Sequence, residues 1–181
     1  MLRATLPLAL STALVLPAAA AERQVVAEMF TATWCGPCVA VGQAFLHMAE
    51  DFPDQHFSLM LHQADAYTIP WGNSRASFYG VPGYPTVWTD GVIPKVGGGG
   101  TWQTHYNLLA NHMNQRLGTP TDVNVSMAAE QDGADSYNAM ALIRIDPDGQ
   151  ARTLRVHLAR CLWNAPNSDH YTHTLREAQS T

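Results

Sequence analysis

The sequence predicts an α/β protein, a three-layer α/β/α arrangement around a mixed sheet, followed by a small C-terminal β-rich segment. Three observations predict it. Between residues 25 and 117, short β-branched runs alternate with stretches of helical period. The pair Cys35-Gly36-Pro37-Cys38 stands where the first of those runs gives way to the first helix. From Thr119 onward the helical period disappears and alternating strands take over.

The elements follow in chain order. Residues 1–21 carry Arg3, an apolar run from Leu6 to Leu16, and Pro17-Ala18-Ala19-Ala20-Ala21 with A-x-A sites. That three-part pattern predicts a signal peptide cleaved near Ala20 or Ala21, with an apolar run too short to span a bilayer. Val25 to Phe30 reads as a short buried strand. From Cys38 to Phe52, apolar Val41, Phe45, Met48, Ala49 and Phe52 recur at helical steps, and Pro53-Asp54 ends the helix. His56 to His62 is a second strand. Ile69 to Asn73 reads as a loop, with Asn73 or Ser74 capping a short helix from Arg75 to Tyr79 that stops at Gly80.

Val81-Pro82-Gly83-Tyr84-Pro85-Thr86 breaks regular structure before a strand at Thr86–Thr89. Asp90-Gly91 is a hairpin signal returning the chain through Val92–Val96, and Pro94 places that return at a sheet edge. Gly97–Gly100 reads as a flexible connection. Thr101 caps a helix with Trp102, Tyr106, Leu109, Met113 and Leu117 on one face, of which Trp102, Tyr106 and Leu109 are read as core, and Gly118 ends it. The order implies two parallel strands joined by a crossover, then an antiparallel hairpin, with helices on both faces. Gly118-Thr119-Pro120 is a linker. Beyond it, Val123–Ala129, Ala139–Ile145 and Thr153–Trp163 read as three strands, and the last stretch has no clear period. The domains expected are therefore residues 22–117 and 118–181.

Composition narrows the function. Of 181 residues 46% are hydrophobic, the net charge is −5, and Lys95 is the single lysine. No basic run exists to neutralise a phosphate backbone, so nucleic acid is not an expected partner. The glycine run 97–100 lacks the lysine and spacing of a phosphate loop, so no nucleotide or other cofactor is called for. No stretch after the leader is long and apolar enough to span a membrane.

The cysteine pair carries the chemistry. A helix N-terminus offers unpaired N–H groups and the positive end of the dipole, both favouring thiolate over thiol. Cys35, beside Trp34, is the expected nucleophile on a substrate disulfide, and Cys38 the resolving thiol. Gly36 permits the tight turn, and Pro37 sits where a missing N–H costs nothing. A static disulfide and half of a zinc site are the other readings. Structural zinc needs four ligands, and the sequence has no second C-x-x-C, so no metal site is expected. Cys161 alternates with Arg155, His157 and Ala159 and reads as a small buried filler, with an intermolecular disulfide open to it.

Trp34-Cys35-Gly36-Pro37-Cys38, followed about 47 residues later by Tyr84-Pro85-Thr86, resembles the thioredoxin family. The resemblance implies a thioredoxin-like fold over about half the chain and a cis Tyr84–Pro85 bond facing the cysteines. It also implies a peptide-binding surface formed by Trp34, Gly36, Pro37, Tyr84 and Pro85. In that family an acidic residue six positions before the first cysteine relays the proton of the second. Here that position is Met29, and Glu28 lies one residue further back. Either Glu28 fills the role through a longer loop or the role is vacant. The cost of a carboxylate in an apolar strand favours a functional Glu28. The family's usual lysine partner is absent, and His62 is the nearest titratable group on the neighbouring strand.

The C-terminal strands and the run His170-x-x-His173-x-x-Arg176 are similar to secreted thioredoxin-like proteins with a C-terminal immunoglobulin-like domain. On that likeness the sandwich is incomplete. The expectation is a periplasmic or secreted thiol–disulfide oxidoreductase. Its partners would be protein thiols and disulfides together with a redox partner. A cell-envelope binding or assembly module on the same scaffold is the alternative.

Overall fold

A computed structural model describes residues 22–134, 136–164 and 172–180; the predicted leader, residues 1–21, lies outside the described residues. The strands are β1 (Val25–Thr31), β2 (His56–His62), β3 (Thr86–Thr89), β4 (Ile93–Val96), β5 (Val123–Gln131), β6 (Tyr137–Ile145), β7 (His157–Asn164) and β8 (Thr172–Ser180). The helices are α1 (Cys38–Asp51), α2 (Pro70–Tyr79) and α3 (Trp102–Leu117).

A six-stranded sheet runs β4-β3-β1-β2-β8-β7. β1 and β2 are parallel, β3 is antiparallel to β1, and β4 is antiparallel to β3. This is the mixed sheet expected, with Pro94 on the outermost strand, where no second neighbour demands its missing N–H. Asp90 and Gly91 both take positive φ, 52° and 67°, which closes the β3–β4 hairpin.

Strand period two sorts β1 between the faces. Ala27 and Met29 join Met60 and Val87 against Val41, Ala44, Phe45 and Met48 of α1 and Leu109 and Met113 of α3. Phe30 and Leu61 point the other way, towards Trp71, Ala76 and Tyr79 of α2. Burial of each such large side chain contributes roughly 1.5–3 kcal/mol. Tyr106 and Leu117 pack against the α1/α3 core. Trp102, expected in the core, instead stacks on His47 at the surface with centroids 4.0 Å apart.

Two expectations need correction. α2 starts at Pro70 rather than Arg75. Proline at the first helical position is pre-set in φ, and the Ser74 hydroxyl donates back to the Pro70 carbonyl, 3.1 Å, instead of capping. The C-terminal strands also do not form one appendage. Among the described residues β5 and β6 pair with each other alone, as a two-stranded sheet. β7 and β8 form a hairpin, and β8 runs parallel to β2 with Met60 opposite Thr174. Ala159, Cys161 and Ala178 thus extend the α2-side core. His170 lies outside the described residues.

Candidate functional site

The cysteine pair sits at the junction of β1 and α1. Ala32 accepts from the Cys35 amide at 3.0 Å, and Cys35 accepts from the Cys38 amide at 3.0 Å, so the two cysteines bracket one tight turn. Pro37 occupies the N-cap position, one residue before α1 begins. Cys35 and Cys38 are joined in a disulfide with Cα atoms 5.3 Å apart. Cys38 is fully buried and Cys35 nearly so, while Gly36 and Pro37 are exposed.

Trp34 is 63% exposed but not loose. Its indole N–H donates to the Ala64 carbonyl at 3.2 Å, and its ring meets Tyr84 edge-on at 6.0 Å. The Tyr84–Pro85 bond is cis, as the resemblance implied. Trp34 and the Tyr84-Pro85 segment therefore meet at the cysteine turn.

Two parts of the site were not legible in the sequence. The first is the glycine run, expected to be only a connection. A Cβ on Gly98 would lie 2.1 Å from the Pro37 carbonyl oxygen and 2.8 Å from the Pro85 ring. The Gly97 amide donates to the Pro85 carbonyl at 2.8 Å. The run is a strap pressed against both halves of the site, and only glycine permits that approach.

The second is a corner formed by Ala64 and Asp65. Asp65 Oδ2 accepts from the Thr33 amide at 2.7 Å and meets His62 Nδ1 at the same distance. Oδ1 accepts from the Tyr67 amide at 2.9 Å. Burial alone would raise the Asp65 pKa, but the His62 bond and the two amides together pull it below the ordinary 3.8. A depressed carboxyl contributes stability that is present above the unfolded pKa and lost as pH falls through the folded one. We expect the wild type to lose Tm more steeply than Asp65→Asn below about pH 4. Parallel slopes in melts taken across that range would contradict the assignment.

Glu28 is corrected. It points to the α2 face, opposite the face that carries Cys38, because it shares strand parity with Phe30. Arg75 Nε donates to Oε1 at 2.8 Å and Nη2 to Oε2 at 2.6 Å, while the Tyr79 hydroxyl donates to Oε2 at 2.5 Å. Arg75 is covered in turn by the rings of Trp71, Phe78 and Tyr79. Burial, then the bond to Glu28, push the Tyr79 phenol far up. Met29, on the other face of β1 from Glu28, lies in one apolar cluster with Cys35 and Cys38. A relay through Glu28 would have to cross the sheet. The residue is a structural anchor for α2. Cys161 is free and half-buried, and burial pushes its thiol up to about 11.

Comparison with known proteins agrees with this geometry. A family model described as Thioredoxin matches residues 17–112. A thioredoxin H-type of Picea mariana is 46% identical over 35 residues, which are 19% of this chain and 28% of that protein, so the match spans little more than a quarter of the relative. Among solved structures, HBP35 of Porphyromonas gingivalis superposes with a TM-score of 0.63 at 18% identity, covering 87% of this chain and 56% of that one. A structural-genomics target from Agrobacterium tumefaciens gives 0.58 at 20% identity, covering 90% and 74%. At these identities the likeness is one of fold, and its coverage extends past residue 117. No helix among the described residues is long and apolar enough to cross a membrane. The match over more than half of the length, on a mixed sheet that holds a disulfide-bonded C-x-x-C opposite a cis proline, establishes that the chain belongs to the thioredoxin family.

Proposed function

We propose that the protein is an exported thiol–disulfide oxidoreductase that reduces or isomerises protein disulfides. The observation that carries the reading is the Cys35–Cys38 disulfide at the start of α1, beside the cis Tyr84-Pro85 segment and the exposed Trp34. The export half of the proposal rests on the leader pattern of residues 1–21.

The reduced pair starts the cycle. The Cys35 thiolate attacks one sulfur of a client disulfide, the client S–S bond breaks, and a mixed disulfide forms as the client thiolate leaves. Cys38, deprotonated, then attacks Cys35 Sγ, which frees the second client thiol and leaves the pair oxidised. Two electrons have passed to the client, and a dithiol redox partner must return them. The Tyr84 backbone, beside the pair, would offer an extended client peptide a strand to pair with. Pro85 presents an apolar ring and no ligand, which keeps metal from the thiols.

An insulin-reduction assay with dithiothreitol as the electron source tests the reading. Wild type is expected to accelerate precipitation of the insulin B chain, and Cys35→Ser to match the blank. Equal rates for the two would sink it. One observation favours the alternative, a cell-envelope binding module. The β5–β6 ribbon exposes Val125, Met127, Tyr137, Met140 and Leu142. A Cys38→Ser trap separates the two: catalysis predicts mixed disulfides with several clients, and pure scaffolding predicts none.

A further inference from the structure

The glycine strap that faces Pro37 and Pro85 is held by side chains outside the cysteine turn. Lys95 stands on β4 opposite Val87 of β3, and Val87 is fully buried on the α1/α3 face. Register therefore turns the lysine to that face, where it is half-buried and donates to the Gly97 carbonyl. From α3, the buried His105 ring hydrogen-bonds the Gly98 backbone. Among the described residues Lys95 has no carboxylate partner. A half-buried ammonium without a counter-charge is a cost to the fold, so its hydrogen bond to the strap needs a reason.

We propose that Lys95 is a positioning residue for client capture, holding the Gly97–Gly98 strap against Pro37 and Pro85 so that the client-binding edge is formed before a peptide arrives. The proposal rests on the oxidoreductase reading given above. The strap is bonded to Pro85 through the Gly97 amide, while Lys95 holds the carbonyl of the same residue. Gly97 is thereby fixed at both ends of its peptide groups, and Gly98 is delivered into a gap that admits no Cβ. Losing the lysine frees the carbonyl end and leaves the disulfide, α1 and the cis segment in place.

The electrostatics separate this role from ordinary structural support. Burial pushes the Lys95 ammonium down to about 8 from the ordinary 10.5. The groups facing it are His105 from α3 and apolar Val87 from β3, and burial together with Lys95 lowers the His105 pKa. Because the folded chain binds this proton less well than the unfolded chain, stability is lower below about 8 and rises with pH towards 10.5. The charge thus opposes stability at neutral pH. Removing it should not lower Tm, whereas removal of a structural anchor would.

The test is steady-state reduction of a disulfide-bonded peptide, with excess dithiothreitol returning the two electrons to the Cys35–Cys38 pair after each turnover and the uncatalysed rate subtracted, and with KM and kcat read separately across pH, alongside melts. Lys95→Met is expected to raise KM about fivefold to tenfold, the weight of one ordinary net hydrogen bond at a partly exposed site, with kcat within about twofold and Tm at pH 7 undiminished. Lys95→Arg should recover most of the KM. In wild type KM should climb as pH rises through about 8, and in Lys95→Met it should stay flat. Because Lys95 is the single lysine, chemical modification supplies a second route on the folded wild type. Acetylation, which removes the charge, should raise KM, and reductive dimethylation, which keeps it, should not. Identical KM values and pH profiles for wild type and Lys95→Met overturn the proposal, as does an acetylated protein with unchanged KM. If the wild type is no faster than Cys35→Ser, the oxidoreductase reading itself has failed.

Discussion

Arg75→Met is expected to lower stability by about 3 kcal/mol, because it leaves the Glu28 carboxylate buried with only the Tyr79 hydroxyl for company. Both guanidinium bonds to Glu28 disappear, and the side chain of Glu28 is 8% exposed, so water cannot replace them without opening the α2 face. Removing one partner of a buried pair costs about 3–5 kcal/mol, and the 21% exposure of Arg75 argues for the lower end. In a chain of this length that corresponds to a fall in Tm of about 6–12 °C. The double variant Glu28→Met/Arg75→Met should regain most of it, since an apolar pair of similar volume removes the stranded charge. Glu28→Gln should leave the reduction potential of the cysteine pair unchanged, because it acts on the opposite face of the sheet. A shift in that potential would restore the relay role that the geometry denies it.

Gly98→Ala is the second large effect, and it falls on activity more than on the fold. The added carbon would lie 2.1 Å from the Pro37 carbonyl oxygen, 2.8 Å from its carbon and 2.8 Å from the Pro85 ring. None of these is the free end of a flexible side chain. Either the strap lifts away or the Cys35–Cys38 turn shifts, at a cost of about 3 kcal/mol. A displacement of about 1 Å in a reacting group lowers rates about a hundredfold. Insulin reduction and a melt on the same preparation measure the two effects. Gly99→Ala is the matched control: its Cβ meets nothing within 4 Å, so activity and Tm should stay at wild-type values. Full activity in Gly98→Ala would show that the strap is no wall of the site.

The parts of this fold that a reader of the sequence can find are those whose information is local. β1, β2, α1 and α3 announce themselves by period and by their punctuation at Pro53, Thr101 and Gly118. The cysteine turn and the cis proline are legible because each is a short motif. α2 is legible only in its second half, up to Gly80, because its apolar residues follow no stripe, and Pro70 opens it where a proline more often reads as a break. Gly98 is hidden because a run of glycines looks the same whether it swings free or is pressed onto a carbonyl. Glu28 was open to a better reading. Period two already assigns it to the side of Phe30, away from Met29, and that parity decides against a role beneath Cys38.

The pairing of β8 with β2 sets the timing of assembly. Met60 waits for Thr174, and β8 must have been made before β2 has a neighbour on that side. Every other contact of the central sheet joins segments much closer in the chain. Long-range parallel pairing is slow, since the loop must close before any hydrogen bond rewards it. During synthesis the cysteine turn can therefore take shape while one side of the sheet is still an open edge. In that interval the His56–His62 backbone can template pairing with another chain, a hazard that ends once the terminal hairpin closes over it.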